Sequence, residues 1–201
     1  MYTDGSLRLG FWNIDGLKPK YLDKSLDSEF GKFIHKNEIC AIGETHFDDD
    51  KSLDIEGYKS FYVNRQKNKK ARRVTGGLCI LVKESLKRGI EIIRNGNESN
   101  YVWVKINKKF ISKNDDLYVC FAHIPCTNST ININANYNVL DNLCVETVCY
   151  QKQGNVMVLG DLNGKVGKLY DFIRNDDTDY LPIVSDVNVY SPDNVISDRN
   201  H

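Results

Sequence analysis

Three short apolar runs in this chain each lead into an acidic side chain, and the acids are Asp15, Glu44 and Asp161. Runs of this length, bounded by polar breaks, are typical of buried β-strands. A carboxylate at the end of a buried strand is costly unless it is paired or bound to a cation. Because this cost recurs at three strand ends, the sequence predicts that the three acids share one cation.

The rest of the chain continues the alternation of short strands with two helical patterns. The predicted strands are residues 7–14, 39–43, 58–63, 77–82, 90–93, 101–106, 117–124 and 156–159. One helix is predicted over residues 22–36, with a buried face of Leu26, Phe30, Phe33 and Ile34. The other is predicted over residues 137–150, with a buried face of Tyr137, Leu140, Cys144, Thr147 and Val148. Short turns at 95–100 and 114–116 predict antiparallel pairing of the strands that they join.

Composition bounds the class of protein. The 201 residues, 41% of them hydrophobic, suffice for a single domain over residues 1–201. Because 27 basic residues balance 27 acidic ones, any binding of a polyanion must be local. Neither a secretory signal nor the roughly 20 apolar residues of a membrane span occurs. The six cysteines form no CxxC pair, so we predict reduced thiols, no zinc, and a nuclear or cytoplasmic rather than secreted protein.

The residues beside the three acids indicate metal-assisted hydrolysis. Asp15 and Glu44 are predicted to bind Mg²⁺, with Mn²⁺ as an alternative, because hard divalent ions prefer carboxylate oxygens. Asn13 is predicted to orient a ligand or a phosphate oxygen. Asp161 would orient or deprotonate the attacking water, and Asn163, placed on the same face of an extended segment, would donate to charge developing on phosphate. Each motif alone is more typical of an ordinary turn, so the prediction depends on their co-occurrence.

Four segments of the chain form a recognisable series, namely residues 11–17, 43–46, 76–82 and 158–163, the last with a Gly-Asp-x-Asn element. In this order they resemble the endonuclease/exonuclease/phosphatase superfamily, especially the abasic-site-like endonuclease domains of non-LTR retrotransposons. The resemblance implies a four-layer α/β sandwich, in which two packed, mixed and largely antiparallel sheets are flanked by helices. It also implies a Mg²⁺-dependent phosphodiesterase that nicks DNA.

Two features depart from the family pattern. His123 stands where the family has Tyr before an apolar residue and Pro, and it is expected either to contact a phosphate oxygen or to hydrogen-bond nearby. The family also closes with an Asp and a Ser-Asp-His motif, whereas Ser197, Asp198 and His201 come too soon after Asn163. We therefore expect a C-terminally truncated fragment without its last strands. Its activity should be lower by roughly 10²-fold or more, since a transition-state contact is lost.

DNA contact is predicted at a basic loop that carries Lys70, Arg72 and Arg73, because phosphate neutralisation supplies most non-specific affinity. The alternative is that this loop is a solvated hairpin tip. Two other functions stay open on the sequence alone. One is a catalytically decayed fragment or non-catalytic interaction module, and the other is a phosphatase or sphingomyelinase-type hydrolase of the same fold.

Overall fold

The computed structural model describes residues 7–47, 52–64, 74–93, 100–111, 113–124 and 139–163. Its strands are β1 (Leu9–Asn13), β2 (Ile39–Gly43), β3 (Tyr58–Val63), β4 (Leu78–Lys83), β5 (Ile90–Ile93), β6 (Tyr101–Ile106), β7 (Leu117–His123) and β8 (Asn155–Asp161). Its helices are α1 (Ser28–Lys36), α2 (Lys108–Ile111) and α3 (Val139–Gln151), with 3₁₀ turns at Lys24–Leu26 and Glu84–Gly89. The predicted bounds of β2, β3, β5 and β6 are confirmed, and those of the other predicted strands differ by one or two residues.

The strands form two four-stranded sheets, ordered β1-β2-β4-β3 and β5-β6-β7-β8. Two neighbouring pairs, β1 with β2 and β7 with β8, are parallel, and the remaining pairs are antiparallel. The antiparallel pairing predicted from the short turns is confirmed for β5 with β6 and for β6 with β7. Parallel strands have their C-terminal ends at the same edge of a sheet. Each sheet therefore brings the C-terminal ends of two strands close together.

The two sheets pack face to face and a helix covers each outer face. The inner core is apolar and is formed by Ile39, Ala41, Ile80, Val82, Val102, Val104, Val119 and Phe121. Phe30 and Ile34 of α1 pack on the outer face of the first sheet, and Val139 and Leu143 of α3 pack on the outer face of the second. The predicted four-layer sandwich is confirmed. The central strand β2 is continuously apolar, which suits burial on both faces.

Helix α1 is shorter than the predicted helix over residues 22–36. Asp27 is extended, at φ −70° and ψ 136°, and its side chain accepts a 2.7 Å hydrogen bond from the backbone N–H of Glu29. This capping interaction starts a new helix at Ser28. Leu26 lies before the cap and is 83% exposed, so its predicted burial is wrong.

Helix α3 buries a different face from the predicted one. The indole Nε1 of Trp103 donates to Glu146 Oε2 at 2.7 Å, and the ring of Tyr150 stacks on Tyr118 with ring centroids 4.8 Å apart. These contacts turn the face that carries Glu146 and Tyr150 toward the sheet. Leu140 and Val148, which were predicted to be buried, are 47% and 52% exposed. Cys144 of the predicted face is exposed as well, and Tyr137 lies outside the described residues.

An ion pair aligns the beginnings of the parallel strands β1 and β2. Arg8 precedes β1 and Glu38 precedes β2, and the 2%-exposed Glu38 carboxylate accepts from Arg8 Nη2 at 2.7 Å. The same carboxylate accepts from the Arg8 backbone N–H at 2.8 Å. The guanidinium hydrogen bond, opposed by burial, lowers the pKa of Glu38. The buried carboxylate therefore stays ionised and fixes the register in which the two strands end.

The cysteines that lie in apolar runs are free, as predicted. Cys40, Cys79 and Cys120 are buried, and burial raises the pKa of Cys40 to about 12. Burial likewise raises the pKa values of the other two thiols. Cys126 lies outside the described residues. Among the described residues, no helix has the length and apolar character that a membrane crossing requires.

Candidate active site and metal centre

The C-terminal ends of four strands, the parallel pairs β1–β2 and β7–β8, lie at one edge of the sandwich. In the first sheet Asn13 lies opposite Gly43, directly before Glu44, and in the second sheet His123 lies opposite Asp161. The side-chain amide of Asn13 donates to Glu44 Oε1 at 3.2 Å and to Asp161 Oδ2 at 2.9 Å. One amide thus connects an acid of each sheet.

Asp15, two residues after the end of β1, is the third acid of the group. Its backbone N–H donates to Asn13 Oδ1 at 3.3 Å, and the next residue, Gly16, donates its N–H to the Glu44 carbonyl at 2.7 Å. Ligand atoms of Asp15, Glu44 and His46 all lie within 4.8 Å of one another. The structure therefore brings together the two predicted metal ligands and adds His46. The sequence signal for His46 was its place two residues after Glu44, since imidazole is a common metal ligand.

This donor set fits a divalent cation. Asp15 is exposed, and the side chains of Glu44 and His46 are 25% and 12% exposed, so the group is accessible from solvent. Within the ranges that the structure describes, no lysine or arginine pairs with the carboxylates of Asp15, Glu44 or Asp161. Neighbouring carboxylates without a compensating cation favour the binding of a metal ion.

The backbone is strained at the same place. Among the described non-glycine residues, positive φ occurs at Asp15 (46°), Glu44 (53°), His46 (54°) and Asn163 (47°). This left-handed conformation is uncommon outside glycine, and Asp, Asn and His tolerate it better than Glu does. Such strain costs of the order of 1–3 kcal/mol per residue and concentrates at functional sites. All four strained residues belong to the candidate site or lie within two residues of Asp161.

Asp161 and Asn163 form a turn at the end of β8. The Asn163 backbone N–H donates to Asp161 Oδ1 at 3.0 Å, and its side-chain Nδ2 donates to the Ile124 carbonyl at 2.8 Å. The prediction of an extended segment here is wrong, because Asn163 adopts positive φ. Asn163 attaches the turn to the end of β7, and Asp161 is left with Oδ2 directed at Asn13.

His123, the last residue of β7, is buried and lies next to Glu44. It is 6% exposed, and its Nε2 lies 2.8 Å from Glu44 Oε1. Its Nδ1 is buried and has no hydrogen-bond partner within the described part of the chain. The geometry therefore associates His123 with the orientation of Glu44. The predicted DNA-contact residues Lys70, Arg72 and Arg73 lie outside the described residues, as do Ser197, Asp198 and His201.

By sequence, the chain matches no family model and none of the curated proteins. By structure, it is similar to the catalytic domain of Xenopus laevis APE2, with a TM-score of 0.57 and 19% identity over 86% of this chain and 63% of that one. It is also similar to the Neisseria 3′ phosphatase NExo bound to product DNA hairpin, with a TM-score of 0.51 and 11% identity over 79% and 58% of the two chains.

The AP endonuclease LMAP from Leishmania major gives a TM-score of 0.51 and 12% identity over 78% of this chain and 55% of that one. This chain thus spans less than two thirds of the length of each of these structures. Likeness at these identities concerns the fold alone. The described residues have the α/β-sandwich fold shared by these endonuclease and phosphatase structures.

Gly160, directly before Asp161, packs closely against Ala122 of β7. A Cβ at Gly160, whose φ is +154°, would lie 1.9 Å from the Ala122 carbonyl oxygen. We expect Gly160→Ala to lower the free energy of unfolding by about 2 kcal/mol or more, because backbone must move to admit the methyl group. Gly31→Ala is the control, since nothing lies within 4 Å of its Cβ and alanine in α1 should add up to about 1 kcal/mol. Equal urea-unfolding midpoints for both variants would contradict this account.

Proposed function

We propose that this site belongs to a divalent-metal-dependent phosphodiesterase that nicks DNA, with Mg²⁺ or Mn²⁺ as the ion and with an origin in a retrotransposon endonuclease. The observation that carries the proposal is the Asn13 amide, which joins Glu44 to Asp161 across the two sheets. It places the third acid, Asp161, next to the metal-binding pair Asp15 and Glu44, and in this proposal Asp161 acts on water. Hydrolysis of a phosphodiester needs both functions at one place.

Each residue has a distinct role in this proposal. Asp15 and Glu44 hold the ion, which when bound stabilises the charge that develops on phosphate. Asp161 orients the attacking water or accepts its proton, and Asn13 holds the Asp161 carboxylate in place. His123 fixes Glu44 from the opposite side, and Asn163 fixes the turn that carries Asp161.

Gly76 and Gly77 lie in the segment 76–82, which resembles retrotransposon endonucleases, and this glycine pair has a structural task beside the candidate metal centre. The carbonyl of Gly76 accepts from the backbone N–H of His46 at 2.9 Å, and that of Gly77 accepts from Thr45 at 3.4 Å. Both glycines have positive φ, and a Cβ at Gly77 would lie 2.8 Å from Thr45 Oγ1. The pair therefore holds the segment that follows Glu44.

DNA is favoured as substrate by a basic and aromatic loop next to Asp15, residues 18–23, which we term the Tyr21 loop. Lys24 closes it by donating Nζ to the Asp15 carbonyl at 2.9 Å and its backbone N–H to the Leu17 carbonyl at 2.9 Å. At its tip Tyr21 is 89% exposed, with Lys20 Nζ 5.0 Å from the ring centroid. Exposed aromatic rings beside basic side chains suit bases and phosphates. Of the similar structures, the Neisseria 3′ phosphatase holds a DNA hairpin.

The metal and the chemistry are tested together on the 201-residue chain. Mg²⁺ should raise the melting temperature, because an ion that binds the folded state stabilises it, and Glu44→Gln should abolish this rise. Supercoiled plasmid should be nicked in the presence of Mg²⁺, and the rate should fall by roughly 10²-fold in Asp161→Asn. Asp141→Asn, an exposed acid on α3, is the matched control for both measurements.

Nicking that persists at the wild-type rate in both Glu44→Gln and Asp161→Asn would contradict the proposal. Binding of metal and DNA without any nicking would support the second candidate, a non-catalytic DNA-binding module. The observation that favours this candidate is His123, which occupies the position of the family's Tyr and is 6% exposed.

The Tyr21 loop gives a separate prediction about DNA binding in EDTA. Tyr21→Ala should weaken binding of a labelled single strand by roughly 5- to 150-fold, since stacking of a base on an aromatic ring is worth about 1–3 kcal/mol. Lys20→Ala should lower the slope of affinity against salt by about one phosphate contact. Val145→Ala and Lys32→Ala, at exposed positions on α3 and α1, are the controls. Unchanged affinity and salt slope in the loop variants would remove the loop from the DNA interface.

A further inference from the structure

His46 is a nitrogen donor at the edge of a carboxylate pair. Its Nε2 lies 3.5 Å from Glu44 Oε2, and the ligand atoms of His46, Glu44 and Asp15 lie within 4.8 Å of one another. His46 is partly buried, with 12% of its side chain exposed. The imidazole therefore faces the same space as the two carboxylates.

The two oxygens of Glu44 have different neighbours. Oε1 accepts from Asn13 Nδ2 at 3.2 Å and lies 2.8 Å from His123 Nε2. Oε2 faces His46 instead. Because Oε1 is occupied by the side chains behind it, Oε2 is the oxygen available to an ion on the side of Asp15 and His46.

The surrounding backbone is shaped to hold the His46 ring. Its N–H donates to the Gly76 carbonyl at 2.9 Å, and its φ is 54°. Gly16 lies against the imidazole, since a Cβ at that position would be 3.0 Å from His46 Nδ1. A glycine is thus needed where the ring lies closest to the loop that carries Asp15. The position of His46 is thus limited by the segment after β1 and by the segment before β4.

We propose that His46 is the third ligand of the metal centre and that it makes the site prefer a first-row transition ion, Mn²⁺, over Mg²⁺. The inference rests on the proposed function and specifies the ion of that same site. Mg²⁺ takes oxygen ligands almost exclusively. Mn²⁺ accepts carboxylates as Mg²⁺ does, but it belongs to the first-row transition ions that also bind sites of mixed nitrogen and oxygen donors. An imidazole beside two carboxylates therefore adds more to the binding of Mn²⁺ than to that of Mg²⁺.

The test measures binding rather than activity. Titration of the chain with MnCl₂, followed by the EPR signal of the free ion, gives the Kd for Mn²⁺, and displacement by MgCl₂ gives the Kd for Mg²⁺. We expect Mn²⁺ to bind at least about 10-fold more tightly, because one of its ligands is a nitrogen. Pulsed EPR of the Mn²⁺-loaded chain should show coupling to one coordinated imidazole nitrogen, a measurement that requires no variant.

His46→Asn identifies the nitrogen. It should weaken Mn²⁺ binding by about 10-fold or more, leave Mg²⁺ binding within about 3-fold, and remove the nitrogen coupling, because only Mn²⁺ gains from the imidazole. His35→Asn is the matched control, since His35 lies on α1 and packs on Tyr58 with ring centroids 5.9 Å apart. It should change neither constant. Melting curves without metal establish that each variant is folded.

The outcomes separate this inference from the proposed function. Glu44-dependent Mn²⁺ binding without nitrogen coupling, or equal weakening of both ions in His46→Asn, overturns the role of His46 and leaves the metal centre intact. Loss of nitrogen coupling together with selective loss of Mn²⁺ affinity supports it. Binding of neither ion in a Glu44-dependent manner overturns the metal centre itself.

Discussion

The side-chain amide of Asn13 donates two hydrogen bonds, one to Glu44 in its own sheet and one to Asp161 in the other sheet. Two carboxylates that converge on one amide repel each other, and the arrangement persists only if the strands behind them are rigid. The parallel registers supply that rigidity. Asn13 lies opposite Gly43 and His123 lies opposite Asp161. These registers fix the positions of Glu44 and Asp161 at the ends of their strands.

The positive φ angles at Asp15 and Glu44 also serve to bring these acids together. A strand that continued straight would carry Asp15 and the Glu44 segment away from the edge, whereas the left-handed turn at each position keeps them beside Asn13. Hydrogen bonds between the turns, such as that of Gly16 N–H to the Glu44 carbonyl at 2.7 Å, offset the strain. The fold therefore stabilises an arrangement that would be unfavourable in an isolated segment. A bound cation would offset the remaining repulsion between the acids.

Much of the fold could be predicted from the sequence because most strands are short, apolar and separated by polar turns. The bounds of β2 follow directly, since a strand buried on both faces allows no polar residue before it ends. The buried face of α3 could not be predicted, because apolar residues occur all around that helix. Its rotation is set by long-range contacts, the Trp103 hydrogen bond to Glu146 and the stacking of Tyr150 on Tyr118.

The candidate site could likewise be predicted where it depends on apolar runs and not where it depends on long-range contacts. Acids at the ends of apolar runs are visible in the sequence, so Asp15, Glu44 and Asp161 could be proposed as candidates from the sequence alone. His46 was not, because a polar residue three positions after a strand is typical of a turn, and its ring lies near Glu44 where the backbone is left-handed. The turn at Asn163 was missed likewise, since its conformation depends on Ile124, a residue of the neighbouring chain segment.

The central claim is that acids from separate strand ends form one site for a divalent ion. Anomalous diffraction from a crystal of the chain soaked in Mn²⁺ tests it most directly. The account predicts a peak within about 2.5 Å of carboxylate oxygens of both Asp15 and Glu44. A peak that involves neither carboxylate, in a crystal with this edge of the sandwich open to solvent, would contradict the account.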